Sequence, residues 1–536
     1  MRIDSDCDKN SLDTIINDLG NFGKYQTFVF VLVGILIILQ AQIFFLFTFL
    51  TQNIPCRCLI PECDQPNQNQ FEPDWLKNSV PYDDGLPKKC ERYQHINITD
   101  QLLTEECPAV NFDQNVIENC EEFVYKSPEK TILHAYNLFC DDNLWKLTLV
   151  GTINTLGQFF SLIISGIVSD KLGRKFVLIW GMVGGAIFGT ARAFAPNYIV
   201  FTTLEFLDAL FQSGTYATGF VLAVELVGPK KRVLAGTLIC CCFALGEVLA
   251  AAVAWLSMDW KITILVLYVP IFLIISYQWL IPESVRWLLS QKRYKEAEDI
   301  LMKAARINGR TISKHALEKL TVPVDEVAKE PFFHVFKSRI LVMRFFNSCF
   351  CWLSCAFLFY GLTLNAVSLA GNSYVDFILT SLVEIPAYIA TYITVDRFGR
   401  RWTQSLSFFI TAVACFAYIF ISKDQHVLAL CFYLLGKFGA TAAFTICYII
   451  SSEIFPTPLR HSLMGGCSMI ARIGSMVSPQ MPLLEQLWKP LPLVLFTGMA
   501  AIAGLLTLAF PETLNTKLPD TIEEAENIGK KPQKIP

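Results

Sequence analysis

Long apolar runs separated by short polar turns fill almost the whole of this chain. A helix needs about 20 mainly apolar residues to cross a bilayer core. Runs of that size fall at 26–50, 146–169, 176–195, 198–226, 233–255, 261–281, 340–364, 374–395, 402–421, 426–455, 462–484 and 492–510, and they predict twelve spans, numbered here in chain order. The runs are continuous and show no period-two alternation, which excludes the strands of a membrane barrel. The first 25 residues hold no apolar core, so no cleavable signal is expected and the first span acts as the targeting signal.

Composition agrees with this pattern. Hydrophobic residues make up 53% of the 536 positions and charged residues 17%, against about 25% charged in soluble domains. Lys and Arg number 44 against 47 Asp and Glu, a net charge of −3. That balance excludes a nucleic-acid binder built on a basic field, and the low polarity excludes a disordered chain.

Short-loop charges set the orientation. Lys171, Arg174 and Lys175 follow span two, Lys230, Lys231 and Arg232 follow span four, and Arg397, Arg400 and Arg401 follow span eight. Turns 195–197 and 366–373, on the other side, hold no Lys or Arg. Both termini are therefore expected in the cytoplasm. Segment 51–145 then lies outside and carries Cys56, Cys58, Cys63, Cys90, Cys107, Cys120 and Cys140, which are disulfide candidates of open connectivity; seven being odd, one is left over. Asn97-Ile98-Thr99 fits an N-glycosylation acceptor. Cysteines inside the spans, such as Cys240, Cys241, Cys242, Cys349, Cys351 and Cys355, are expected as small packing residues, with no metal site.

The chain is duplicated. Asp170-Lys-Leu-Gly173-Arg174-Lys175 recurs 226 positions on as Asp396-Arg-Phe-Gly399-Arg400-Arg401. Glu225 at the end of span four recurs 228 on as Glu453, and Pro282-Glu283-Ser284 recurs 229 on as Pro511-Glu512-Thr513. Three unrelated marks at nearly one spacing predict two six-helix repeats in the same orientation, the architecture of a major facilitator fold, all-α, with a substrate site between the halves. The divisions are a cytoplasmic segment 1–25, a first bundle 26–281 including loop 51–145, a cytoplasmic linker 282–339 with amphipathic helices, a second bundle 340–510 and a tail 511–536. Gly173 and Gly399 permit tight turns. Asp170 and Asp396 can cap a helix N-terminus or pair with an Arg. With Arg174, Glu225, Glu283, Arg286, Arg400 and Glu453 they form an expected cytoplasmic gate that holds the halves together when the site faces outward. Solvated loop charges are the plainer reading. Tyr294, Ala297, Leu301 and Ala304 share one face of an expected surface helix. Gly181, Gly185 and Gly189 in span three suit close helix packing in lipid.

Pro282-Glu-Ser-Val-Arg-Trp-Leu-Leu289, the Cys-rich first loop, Gly436-Lys-Phe-Gly-Ala-Thr-Ala-Ala-Phe444 and Leu518-Pro-Asp-Thr-Ile522 resemble the organic cation/anion/carnitine transporter family over nearly the whole chain. The resemblance implies plasma-membrane secondary transport of small organic ions by alternating access. It also implies roles for charges inside the spans, which cost roughly 2.5–3.5 kcal/mol each by insertion scales. Arg472 matches the anion and carnitine branches, where the cation branch has Asp; it is expected to meet a substrate carboxylate or to pair internally. Glu384 matches a carboxylate of the cation and carnitine branches. Glu247 is not part of the family pattern. Lys437 adds a cation within span ten and is a further substrate-binding candidate. Together these fit a zwitterion of carnitine type, or a self-neutralised site that accepts either sign. By resemblance Phe243, Trp352, Phe359, Tyr360 and Phe444 line the central cavity, and Tyr216 is a further candidate. Where relatives carry a basic residue in span four, this chain has Glu205, with Asp208 three residues on. An Arg192–Glu205 pair is expected to close the external side; a protonatable carboxylate pair is the alternative.

The expected partners are a small organic ion, the bilayer and a coupling ion or solute (sodium, proton or an exchanged species), with no cofactor. An organic anion exchanger and a transporter-like receptor without flux are the alternatives. No G-x-S-x-G, H-E-x-x-H or G-x-x-x-x-G-K-[ST] motif occurs, so neither hydrolysis nor ATP-driven pumping is signalled.

Overall fold

The structure is a computed structural model and describes residues 11–20, 22–64, 70–83, 86–96, 107–120, 122–228, 231–312, 338–369, 371–422, 425–516, 518–519 and 521–529. Asn97 and linker residues 313–337 lie outside the described residues.

Among the described residues the helices make twelve crossings. Eight stretches are long and apolar enough to span a membrane by themselves: 24–50, 144–172, 232–257, 260–280, 339–367, 373–398, 400–419 and 426–454. They are spans one, two, five, six, seven, eight, nine and ten. The other four need their neighbours. Span three is Arg174–Arg192. Span four is broken at Ser213 into Tyr198–Gln212 and Gly214–Glu225. Span eleven, Arg460–Val477, continues through a tight turn into Met481–Leu487. Span twelve is the shorter Leu491–Thr507.

Span two packs on span eleven, and span five packs on span eight. The duplication relates span two to eight and span five to eleven. The two contacts are thus one contact repeated, and they make the interface between the halves. Hydrogen bonds that join the halves gather toward the end carrying loop 51–143, here the loop end. Gln52 Nε2 donates to Ser373 Oγ at 3.0 Å, Thr148 Oγ1 to Gln480 Oε1 at 3.1 Å, and Gln480 Nε2 to Thr152 Oγ1 at 2.6 Å. Gly151 sits where a Cβ would lie 2.7 Å from both Phe47 and Pro479. The halves close on each other there, below a vestibule of about 1480 Å³ roofed by the loop.

Among its described residues the loop has three two-stranded antiparallel sheets: Cys56–Cys58 with Phe123–Tyr125, Tyr82–Asp83 with Leu86–Pro87, and Glu91–His95 with Phe112–Asn119. Its small core is Cys58, Ile60, Leu76, Val80 and Phe112. So little apolar burial calls for covalent support. Cys58–Cys120, Cys63–Cys107 and Cys90–Cys140 supply it, closing separations of 62, 44 and 50 residues. Cys56, the seventh, is buried.

At the opposite, motif end, the repeated turns share one design. Gly173 has φ 101° and ψ 163°, and Gly399 φ 86° and ψ 161°, a region essentially reserved for glycine. The Glu283 carboxylate accepts from the backbone N–H of Arg174 at 2.9 Å and of Lys175 at 3.2 Å. Glu512 accepts likewise from Arg400 at 2.9 Å and Arg401 at 3.3 Å. Each half thus places a carboxylate from the end of its last span on the positive N-terminus of its third. A Cβ on either glycine would strike that carboxylate. Gly173→Ala is therefore expected to lower stability by about 1–3 kcal/mol from backbone strain, plus the lost cap. Asp170→Asn, in an exposed pair, should be silent. Thermal unfolding in detergent compares them; equal melting of Gly173→Ala and parent would defeat the cap reading.

Candidate site at the interface of the halves

Arg472 lies twelve residues into span eleven, about 18 Å along its axis. It is half-buried. Its Nη1 donates to Gln158 Oε1 of span two at 3.3 Å and to Tyr360 Oη of span seven at 3.4 Å. Both partners are neutral.

At the other seam of the interface, where span five meets span eight, stand Glu247 of the first half and Glu384 and Lys437 (span ten) of the second, each fully buried. Lys437 Nζ lies 2.8 Å from Glu384 Oε1, donates to Thr363 Oγ1 at 2.6 Å, and sits 3.5 Å from the centre of the Phe359 ring. Tyr388 Oη donates to Glu384 Oε2 at 3.0 Å. Lys437 and Glu384 therefore neutralise each other. Glu247 faces Glu384, Lys437 and Ser381, yet neither of its oxygens makes a well-formed hydrogen bond among the described residues.

Aromatic rings occupy the space between. Tyr216 meets Phe243 at 5.1 Å between centroids, Phe359 stacks on Phe444 at 5.4 Å, and Trp352 meets Tyr448 at 4.2 Å. Trp352 is anchored by its Nε1 donating to Ser451 Oγ at 2.7 Å. Phe44 and Phe45, where span one breaks, cover Tyr360 at 6.1 and 5.7 Å. Tyr448 interacts electrostatically with Arg472, Tyr360 and Cys240 but is 44% exposed, so it borders unfilled space beside these groups.

A second charged cluster fills the first half. Arg192 contacts Glu205, lies 3.7 Å from Asp208 Oδ2, and donates to Tyr268 Oη at 3.1 Å. Tyr268 in turn donates to Asp208. All four residues are at most 1% exposed. Gly185 and Gly189 make the room: a Cβ at Gly185 would meet Asp208 and Gln212, and one at Gly189 would overlap Tyr268.

The motif-end charges pair within each half. Arg174 meets Asp170 at 3.2 Å and Arg400 meets Asp396 at 3.0 Å. Arg400 also reaches Glu453 at 3.2 Å, and Thr513 Oγ1 donates to the same carboxylate at 2.5 Å. Glu225 accepts from Ser284 Oγ. Arg286 is engaged as well. Sequence reasoning passed over Tyr388, Tyr448 and the linking amides. Tyr388 is four residues from Glu384 and Tyr448 four from Phe444, so helical spacing alone marked them.

Two repeated bundles that meet across charged and aromatic side chains define a membrane carrier of small solutes. A family described as "Sugar (and other) transporter" matches residues 110–524. The chain is 32% identical to an organic cation transporter protein of Drosophila melanogaster, over 97% of this chain and 95% of that one. It is 31% identical to solute carrier family 22 member 1 of Oryctolagus cuniculus, over 97% and 96%. It is 30% identical to organic cation/carnitine transporter 2 of Mus musculus, over 96% and 93%. Among solved structures, the inward open xylose transporter XylE from E. coli superposes with a TM-score of 0.55 at 19% identity, covering 70% of this chain and 88% of that one, which speaks for the major facilitator fold. The chain belongs to the sugar-and-other transporter family, within solute carrier family 22.

Proposed function

We propose that the chain moves small organic ions across the plasma membrane by alternating access, and that a zwitterion bearing an ammonium and a carboxylate fits its site best. One observation carries this reading. Arg472 is a cation held by neutral groups, and Glu247 is a buried carboxylate that makes no well-formed hydrogen bond among the described residues, the two belonging to different halves around one aromatic-lined space. Lys437 pairs with Glu384, so one lysine stands against two carboxylates at that seam, while Arg472 has no acidic partner among its hydrogen bonds at the other. A guanidinium recognises a carboxylate through paired hydrogen bonds, and aromatic faces attract quaternary ammonium groups. Closure at the loop end, with loop charges favouring cytoplasmic termini, supports a state that faces inward.

The test uses protein reconstituted in liposomes and three matched probes: glycine betaine, tetramethylammonium and 3,3-dimethylbutyrate, the carbon isostere of the betaine. Saturable, trans-stimulated uptake is expected, fastest for the betaine. Imposed sodium and pH gradients, or a preloaded solute, then identify the coupling species. Preference for dimethylbutyrate would favour anion exchange; binding without flux would make the chain a receptor.

A further inference from the structure

We propose that Asn154 and Gln158 are positioning residues that let the charge at position 205 set the hydrogen bonding, and so the carboxylate affinity, of Arg472. The proposal rests on the reading of Arg472 as the carboxylate-binding group.

Three directed hydrogen bonds link the two charged clusters. Arg472 Nη1 donates to Gln158 Oε1 at 3.3 Å. Gln158 Nε2 donates to Asn154 Oδ1 at 2.7 Å. Asn154 Nδ2 donates to Glu205 Oε1 at 2.7 Å. Asn154 and Gln158 are one turn apart on span two, and both are 1% exposed. A primary amide has a donor end and an acceptor end. Away from water, reversing one leaves donor facing donor or acceptor facing acceptor. The carboxylate at 205 accepts only, so it fixes the donor end of Asn154 toward itself. That fixes Asn154 Oδ1 toward Gln158, and hence Gln158 Oε1 toward Arg472. Glu205 in turn is held by Arg192. A cationic group at 205 would invert every step and turn the Gln158 amide donor against the guanidinium. Arg472 would lose its acceptor on span two and keep Tyr360 alone. Glu205 lies buried inside the first half, and the two amides join it to Arg472.

The exchange Arg192→Glu with Glu205→Arg keeps the charges of the pair and reverses the polarity of the chain. Uptake of glycine betaine and of tetramethylammonium by reconstituted protein separates carboxylate recognition from ammonium recognition. The exchange is expected to raise KM for the betaine about tenfold and to leave KM for tetramethylammonium within twofold. In a Gln158→Leu background the exchange should add nothing, because the chain is already cut. Where the exchange variant is not monodisperse, Asn154→Leu takes its place, with the same selective rise expected. Labelling of Arg472 by phenylglyoxal, read by peptide mass spectrometry, does not depend on transport and should increase in all these variants. An unchanged betaine-to-tetramethylammonium KM ratio, or unchanged labelling, overturns the proposal. Increased labelling in a protein that carries neither probe overturns the transport reading and leaves the amide chain standing.

Discussion

Arg472→Asp should reduce kcat/KM for a carboxylate-bearing substrate by at least about 100-fold, while a simple quaternary ammonium loses little. Removing one partner of a desolvated charge pair costs about 2–5 kcal/mol, and the substituted carboxylate adds repulsion. The protein has the means to house that carboxylate. Tyr360 Oη can donate to it and the position is only half-buried, so the variant should fold. Uptake of glycine betaine and tetramethylammonium by wild type and variant reads the prediction, with monodispersity in detergent as the folding control. If betaine uptake survives in a well-folded variant, Arg472 does not meet the substrate carboxylate. The argument is sharpened by Lys437, the other cation near the site. It is consumed by Glu384, Thr363 and the Phe359 ring, and so offers the substrate no second anchor.

Why Arg472 was readable from sequence and its amide partner Gln158 was not is a matter of cost. A charge inside a span is expensive enough that its presence demands a reason. Glu205, Glu247, Glu384, Lys437 and Arg472 therefore stand out in any apolar run. Asn154, Gln158 and Ser381 are neutral, and interhelical hydrogen bonds of such residues are worth only about 0.6 kcal/mol on average. They do not stand out, although Asn154 and Gln158 join the two charged clusters. Aromatics suffer from abundance: among 42 Phe and 17 Tyr, nothing in the chain singles out Phe44 or Phe45, and only its spacing from Phe444 marks Tyr448. The fold was legible because hydrophobic runs and three recurring marks are long-range signals. Even so, span four breaks at Ser213 and span twelve has only 17 helical residues, so their neighbours complete what hydropathy leaves short. Glu512 was visible as a repeat of Glu283. Its service as a helix cap was not, because capping depends on a fold that brings residue 512 beside residue 400.

Arg192→Ala should damage folding far more than Glu205→Ala, although each removes one member of the same pair. Among the described residues Arg192 is the one cation in contact with two buried carboxylates, Glu205 and Asp208. Its loss leaves both without a counter-charge, in a place where an uncompensated charge costs about 3–5 kcal/mol. Loss of Glu205 leaves Arg192 with Asp208 at 3.7 Å, Tyr268 at 3.1 Å, and the faces of Phe201 and Tyr268, each 5.5 Å from the guanidinium carbon. The order expected in thermal unfolding is wild type, then Glu205→Ala, then Arg192→Ala. The double variant should be more stable than Arg192→Ala alone, because removing Glu205 also removes one stranded charge; a coupling of about 1–3 kcal/mol is expected. Additive losses would mean that the contact carries no energy of its own. An equal loss from the two single variants would show that Asp208 does not share Arg192.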